Sequence, residues 1–276
     1  MIINSEIFEN IFNSGSNSKG LSSKSRKNLR KLIKKNLQSR NYFMIIKKLN
    51  KNSNNVKNDI KILSKFFGKK IKQNKKGQTI LKIKPKKKLL KKNITKKNTK
   101  LRYHQTNFGG SIHSDGPQLN IPPKYVIMGC SNNAKQGGLS ILTNTKKIYK
   151  HMMTKQPEYL KILKEPFIFE RRGFNYSNSN TFKKPIFEKK GNTFRFRYLR
   201  EYIESGYKIK KEKIFKKKIE ALNYLDKILE NKKFKYTYKL NKGDYVILNN
   251  NVIAHGRSSF KIEKNNPREL VRVWVR

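Results

Sequence analysis

Short apolar segments alternate with polar ones along most of the chain, and their pattern predicts strands more often than helices. Apolar runs bounded by turn-forming residues predict strands over residues 42–46, 79–85, 124–130, 139–142, 167–169, 194–198, 234–240, 245–248 and 270–275. Apolar residues at helical spacing predict helices over residues 23–37, 56–67, 145–165 and 211–229. Many short strands with few helices predict a mostly β domain, a sandwich or barrel with flanking helices packed outside.

The same pattern suggests how the chain is organised. Residues 1–22, rich in Asn, Ser and Gly without a sustained period, predict a flexible leader before a single domain over residues 23–276. The lysine-rich residues 86–100 predict an exposed connection, and the candidate chemistry lies after it, in residues 101–276. We expect the strands at 124–130 and 139–142 to pair as a hairpin. Substrate-selecting loops are expected near residues 103–110, 174–184 and 200–207.

The charge is strongly positive, with 67 Lys and Arg against 17 Asp and Glu and a formal net charge of +50. Such a field would make non-specific contact with nucleic acid or anionic membrane at low salt. The lysines are scattered singly and in pairs, however, and Asn and Ile are enriched with them, which favours a compositional bias with solvated surface lysines. The function is therefore sought in specific residues.

Two further observations bound the class of protein. No apolar stretch is long enough to span a bilayer and the N-terminus lacks a signal-peptide pattern, so we expect a soluble, cytoplasmic protein without a membrane segment. The single cysteine, Cys130, cannot form an internal disulfide. Its apolar neighbours Val126, Ile127 and Met128 predict a buried strand thiol and not a nucleophile.

The candidate chemistry is concentrated at His113 and Asp115. On an extended strand these two side chains project to the same face and can converge on one cation. A lone His-x-Asp triplet is usually a pair of surface polar residues, so the motif needs a second, distant histidine. Of the four histidines, His255 is the candidate, because a short apolar run leads to it and a glycine turn is expected after it. Two histidines and one carboxylate with open positions are typical of non-haem Fe(II) oxygenases.

Further motifs accompany these residues in order along the chain: His113-x-Asp115-Gly116-Pro117, Pro122-Pro123-x-Tyr125, Gly137-Gly138-x-Ser140, Phe196-Arg197-Tyr198 with Arg200-x-Tyr202-Ile203, Gly243-Asp244 leading to Asn249-Asn250, His255-Gly256-Arg257 and Arg268-x-x-x-Arg272-x-Trp274. Together they resemble the TauD/TfdA-like Fe(II)/2-oxoglutarate-dependent dioxygenases, including the clavaminate synthase-like members, over roughly residues 40–276. The resemblance implies a double-stranded β-helix, or jelly-roll, fold.

The resemblance also implies the metal and the reaction. His113, Asp115 and His255 match the family's three iron ligands. Halogenating relatives lack the carboxylate, so Asp115 argues for hydroxylation or a related oxidation. The implied activity is the oxidation of a small molecule by dioxygen, coupled to decarboxylation of 2-oxoglutarate to succinate.

Further residues are implied to bind the organic ligands. Arg268 resembles the arginine that grips the far carboxylate of 2-oxoglutarate, and Ser140 matches a hydroxyl that assists it. Arg272, on the same strand face as Arg268, resembles a position that reaches an anionic group on the primary substrate. The alternative is that both arginines are surface partners of Glu263 or Glu269 and that Ser140 is an ordinary strand residue.

A second function stays open at this point: an oxygenase fold recruited by its basic N-terminal third to nucleic acid or to an acidic macromolecular partner. A steep salt dependence of DNA binding that requires residues 1–40 would favour it. For Arg257, Arg200 and Asn107 we expect structural roles.

Overall fold

The computed structural model describes residues 2–3, 23–47, 55–86, 105–174 and 179–276. Its strands are β1 Ile2–Ile3, β2 Phe43–Ile46, β3 Ile80–Ile83, β4 Gly110–His113, β5 Tyr125–Asn132, β6 Ser140–Asn144, β7 Pro166–Glu170, β8 Thr181–Pro185, β9 Phe187–Lys190, β10 Thr193–Phe196, β11 Lys235–Tyr238, β12 Tyr245–Asn249, β13 Ile253–Arg257 and β14 Glu269–Val275. Its helices are α1 Ser23–Lys34, continued by a π-helical segment Lys35–Arg40, then α2 Val56–Ser64, α3 Thr145–Lys155, α4 Pro157–Leu163, α5 Arg200–Lys210 and α6 Lys216–Leu229.

Two sheets face each other at the centre of the fold. The larger has the strand order β1-β2-β12-β5-β14-β3 and the smaller the order β11-β6-β13-β4. All their pairings are antiparallel apart from β1 with β2. Two hairpins, β7–β8 and β9–β10, lie beside them. This arrangement confirms the predicted mostly β jelly roll with flanking helices.

Alternating side chains along the strands build three apolar layers. Between the sheets pack residues such as Val126, Met128, Leu142, Ile253 and Trp274. The outer face of the larger sheet is covered by α1 and α2, and the smaller sheet packs in a cluster with α3 to α6. Since both faces of each sheet are covered, central strands such as β12 are buried at every residue. The inner layer encloses the functional side chains described below.

The predicted hairpin between residues 124–130 and 139–142 is wrong, because β5 and β6 belong to different sheets. Both edges of β5 are already occupied, by β12 and β14. Between β5 and β6 the chain crosses from one sheet to the other through Gly137 and Gly138, whose φ angles are 74° and 72°. The N–H of Gly138 donates to the carbonyl of Ser259 at 3.0 Å, so the glycine turn docks on the segment that follows β13.

Several other expectations change in detail. The helix predicted over residues 145–165 is two helices, because Pro157, which has no N–H, starts a new one. Residues 200–207 form the first part of α5 and not a loop, and residues 181–184 belong to β8. Within the predicted leader, Ile2–Ile3 forms a strand against β2. The rest of that leader and most of the lysine-rich connection lie outside the described residues. No helix in the described ranges is long and apolar enough to cross a membrane.

Candidate metal centre

The two histidines meet because their strands pair. His113 at the end of β4 lies directly opposite His255 in β13, and their ring centroids are 4.7 Å apart. Directly opposed residues on one face of an antiparallel pair bring their side chains together. His255 therefore sits inside a strand and not before the glycine turn that we expected. Both side chains are buried.

Asp115 reaches the same point by a different route from the predicted one. The strand ends at His113, so strand alternation does not carry the chain to Asp115. Instead, Ser114 forms two hydrogen bonds with Tyr198. The N–H of Ser114 donates to the Tyr198 carbonyl at 2.9 Å, and the Tyr198 N–H donates to Ser114 Oγ at 2.9 Å. Gly116 has a φ of 66°, and a Cβ there would lie 2.7 Å from Pro123. The turn after Asp115 therefore requires glycine.

Two buried polar side chains hold this loop from opposite sides. The Arg197 guanidinium donates to the carbonyls of Pro117 and Leu119, both at 2.6 Å. The Asn250 amide accepts from the N–H of Asp115 at 2.8 Å and donates to the Asp115 carbonyl at 2.9 Å. Both residues belong to motifs of the sequence resemblance, but sequence reasoning assigned neither a role at the site.

The carboxylate of Asp115 is oriented by the other sheet. Arg272 donates to Oδ1 and the Trp274 indole N–H to Oδ2, each at 2.8 Å. Arg272 is held in turn by Gln73, whose side-chain oxygen accepts from Nε at 2.8 Å. The alternation along β14 already placed Arg272 and Trp274 on one face. Gln73 was missed, since no motif of the sequence contains it.

Charge and burial set the protonation of the centre. Burial is the largest single effect and opposes ionisation of Asp115, but the charge of Arg272 together with the interactions of His255 and His113 outweighs it and holds the pKa of this carboxyl well below its ordinary value. Burial lowers the pKa of His255 to about 3, against the opposing effect of Asp115. An ionised carboxylate beside a neutral imidazole is the protonation state that a metal requires of its ligands.

The three side chains fit a single divalent cation. The Nε2 atoms of His113 and His255 each lie 3.7 Å from an oxygen of Asp115, and all three ligand atoms lie within 4.8 Å of one another. Two imidazole nitrogens and one carboxylate oxygen form the facial ligand set that non-haem iron uses, with open positions opposite.

Two cavities open on this centre from different sides. A small one is lined by Arg268 and Ser140 together with both histidines and Arg272. Arg268 and Arg272 are both buried, which argues against surface roles, and Arg272 pairs with Asp115. The geometry thus gathers every sequence-predicted site residue around one centre; the ligand roles of Arg268, Ser140 and Arg272 stay predictions.

The larger of the two cavities measures about 270 Å³ and is lined in part by His113 and Asp115. Its polar lining includes Gln73, Gln105, Gln118, Arg172 and Glu201. Sequence reasoning missed these residues individually, because they come from separate segments that only the fold brings together.

The arginines and the asparagine expected to be structural do make structural contacts. Arg257 donates to the Thr106 carbonyl at 2.6 Å, although it also lines the small cavity. Arg200 pairs with Glu204 and Asp226, and Asn107 donates to the Phe260 carbonyl at 3.1 Å. Cys130 is buried as predicted, and burial raises the pKa of its thiol to about 12.

The chain is similar to two known enzymes in sequence. It is 26% identical over 164 residues to gamma-butyrobetaine dioxygenase from Homo sapiens, a match that covers 58% of this chain and 42% of that protein. It is 26% identical over 182 residues to FR-33289 synthase from Streptomyces rubellomurinus, covering 63% and 52%. The chain thus spans about half the length of these relatives.

Solved structures share the fold at lower identity. Asparagine oxygenase in complex with Fe(II), 2S,3S-3-hydroxyasparagine and succinate superposes with a TM-score of 0.72 at 12% identity, covering 99% of this chain and 93% of that one. The non-haem iron oxygenase OrfP with Fe and alpha-ketoglutaric acid gives a TM-score of 0.68 at 13% identity, covering 100% and 93%.

The family model for taurine catabolism dioxygenase TauD, TfdA family, matches residues 56–274. This range includes both cavities' linings and all three candidate metal ligands. The chain therefore belongs to the TauD/TfdA family.

Proposed function

We propose that this protein is a non-haem Fe(II)/2-oxoglutarate-dependent dioxygenase that hydroxylates a small molecule. The observation that carries the proposal is the convergence of His113, Asp115 and His255 at the meeting point of two separate cavities. Such a site needs room for a co-substrate on one side of the metal and for a substrate on the other. Family membership and the iron-containing structural neighbours support the same assignment.

In this proposal the protein contributes binding, orientation and exclusion of water. His113, Asp115 and His255 would hold Fe(II), and Arg272 and Trp274 fix the carboxylate of Asp115 so that it enters the site ionised. Arg268 would bind the far carboxylate of 2-oxoglutarate by charge-assisted hydrogen bonds, with Ser140 beside it. When bound, iron and 2-oxoglutarate supply the activation of dioxygen and the oxidising power.

The polar lining of the larger cavity supports a zwitterionic substrate. Arg272 uses Nε and Nη1 for Gln73 and Asp115, whereas its Nη2 makes no hydrogen bond within the described residues. Arg272 therefore remains our candidate for an anionic group such as a carboxylate. On the other side, Arg172 pairs with Glu170 and Lys82 with Glu269, while Glu201 enters no ion pair among the described residues. Glu201 would accept an ammonium group of the substrate.

An amino-acid-like substrate meets both requirements. The structural neighbours support this class, since asparagine oxygenase holds 3-hydroxyasparagine and OrfP holds (3S)-hydroxy-L-Arg. Recruitment to nucleic acid by the basic N-terminal third stays a prediction that no observation favours.

The triad is tested by conversion of 2-oxoglutarate to succinate in the presence of Fe(II). We expect His113→Ala, Asp115→Ala and His255→Ala each to abolish this conversion, because each removes one of three metal ligands. The matched control is His151→Ala, which removes a histidine that packs on Phe234 outside the site and should leave turnover unchanged. Wild-type succinate production by any of the three triad variants would refute the assignment.

A further inference from the structure

A third cavity, which we call the basic cavity, is lined by positively charged residues. It lies beside the larger cavity at the metal centre, which we call the substrate cavity because it is the proposed binding site of the substrate. The basic cavity measures about 600 Å³, and the charged residues of its lining are all basic: Lys69, Lys70, Lys72, Lys75 and Arg276. Ile71, Leu119 and Phe174 add apolar surface. Five positive groups that line one cavity repel one another, which raises the free energy of the folded protein. A bound anion would reduce this repulsion.

The lysines of the basic cavity lack the acidic partners that other lysines of this protein have. Lys82, Lys218 and Lys235 each form an ion pair with a glutamate. Among the ion pairs of the described residues, none involves a basic residue of this cavity. No Asp or Glu appears in its lining either.

The basic groups stand on a fixed scaffold. Lys69 and Arg276 exchange backbone hydrogen bonds of 3.1 and 3.0 Å, and the N–H of Ile71 donates to the Trp274 carbonyl at 3.0 Å. The side chain of Lys75 crosses Gly173, where a Cβ would lie 2.3 Å from the lysine Nζ. The segment that carries the lysines is therefore joined to the end of β14, the strand that holds Asp115.

The basic cavity adjoins the substrate cavity at every segment that lines the basic cavity. Asn74 lines both. Elsewhere the lining passes from one cavity to the other within one or two residues, at Gln118 and Leu119, at Arg172 and Gly173, and at Trp274 and Arg276. Arg272 and Trp274 lie on one face of β14 and Arg276 follows the strand, and two residues of strand span about 7 Å. The two cavities are therefore adjacent, within reach of one extended ligand.

We propose that the basic cavity binds a phosphate-type anionic group carried by the primary substrate. Lysine ammonium groups bind phosphate as point charges, and several of them match its multiple negative charge. The substrate is then an amino-acid-like molecule extended by a phosphate-bearing part. The identity of the ligand as substrate rests on the proposed function, whereas the anion site itself does not.

The site is tested by direct binding of inorganic pyrophosphate to the full chain at about 150 mM NaCl without added metal, where general surface attraction is screened. The test variant is Lys72→Gln/Lys75→Gln. The matched control is Lys189→Gln/Lys190→Gln, which removes the same charge from exposed lysines of β9. We expect saturable binding that weakens about tenfold in the test variant, equivalent to about 1.4 kcal/mol, and less than about twofold in the control.

The outcomes separate the possibilities. Equal weakening in both variants would show that only net charge matters and would overturn the proposal, as would an absence of saturable binding. Binding of a single-stranded DNA that competes with pyrophosphate and outmatches it at this salt would replace the small-molecule ligand with nucleic acid. Retention of pyrophosphate binding by Lys72→Arg/Lys75→Arg would support the site. Since no turnover is measured, failure here is distinguishable from failure of the dioxygenase assignment.

Discussion

Both carboxylate oxygens, the backbone N–H and the backbone carbonyl of Asp115 form hydrogen bonds with other residues. Its carboxylate oxygens accept from Arg272 and Trp274, and its backbone N–H and carbonyl bond to Asn250. A metal ligand fixed in this way loses little conformational entropy when the ion binds. Arg272 and Trp274 belong to the larger sheet, whereas His113 and His255 belong to the smaller one, so the three candidate ligands meet between the two sheets.

At the same scale, Arg268→Ala is expected to weaken 2-oxoglutarate binding much more than Fe(II) binding. Loss of a buried charged partner costs about 2–5 kcal/mol, or roughly 30-fold to several thousand-fold in affinity. Ser140→Ala should cost about 1 kcal/mol, because one neutral hydroxyl is removed. The measurement is a 2-oxoglutarate titration of Fe(II)-loaded protein in the absence of dioxygen. Arg195→Ala, which removes a surface arginine paired with Glu188, is the control. An unchanged affinity in Arg268→Ala would transfer the role to Arg272.

Sequence reasoning reached the residues for which short motifs predict a role in binding the metal or the co-substrate. His113, Asp115, His255 and Arg268 stand in short motifs, so the chain itself carries the signal. It could not reach Gln73 or Glu201. Their side chains enter the site only because distant segments pack together, and neither position has a local pattern that requires it.

At the scale of elements, the site depends on how β4, β13 and the β12–β13 turn are placed. The pairing of β4 with β13 sets the two histidines opposite each other. The turn after β12 supplies Asn250, which holds the loop that carries Asp115. The apolar pattern could predict strands such as β5, β6 and β12 but not their partners, and it did not mark β4 or β13. A period of two defines a strand's faces and leaves its neighbours open, which is why the expected hairpin of β5 with β6 was wrong.

Asn250 is therefore expected to act as a positioning residue for the metal ligand. Asn250→Ala removes three buried hydrogen bonds, two to Asp115 and one to the Pro123 carbonyl, so it should destabilise the fold by about 1–3 kcal/mol. It should also weaken Fe(II) binding at a temperature where the protein is fully folded. Thermal unfolding and a metal titration measure the two effects separately.

The matched control is Asn249→Ala, which removes a buried asparagine bonded to the Leu37 carbonyl and not to Asp115. This variant should show a comparable loss of stability with unchanged Fe(II) affinity. Equal loss of affinity in both asparagine variants would mean that Asn250 acts only through general stability.

At the scale of the whole molecule, the residues that form the candidate site and the residues that give the protein its positive charge are largely different. The inner faces of the sheets hold the candidate acidic metal ligand and its partners, whereas most basic residues in the described ranges are exposed. A net charge of +50 repels itself across the surface and lowers the stability of any compact state. Composition alone could predict this field. Only the fold reveals that five basic residues surround one cavity beside the substrate site.

The net positive charge and the basic cavity lead to different predictions for how salt and a bound anion change the Tm. Raising NaCl from about 10 to about 150 mM shortens the Debye length from about 30 Å to about 8 Å, so long-range repulsion is screened and the Tm should rise by several degrees. Choline chloride should act like NaCl at equal ionic strength, since screening does not depend on the identity of the cation. Lys72→Gln/Lys75→Gln should show the same rise of Tm with salt, because it removes only two of the 67 basic residues.

At about 150 mM salt, however, pyrophosphate should raise the Tm of the wild type and of Lys189→Gln/Lys190→Gln more than that of the cavity variant Lys72→Gln/Lys75→Gln, since a ligand that binds only the folded state stabilises it. A Tm that is flat or falls with salt would contradict the repulsion argument, and an equal gain from pyrophosphate in all three proteins would assign the anion effect to the surface at large.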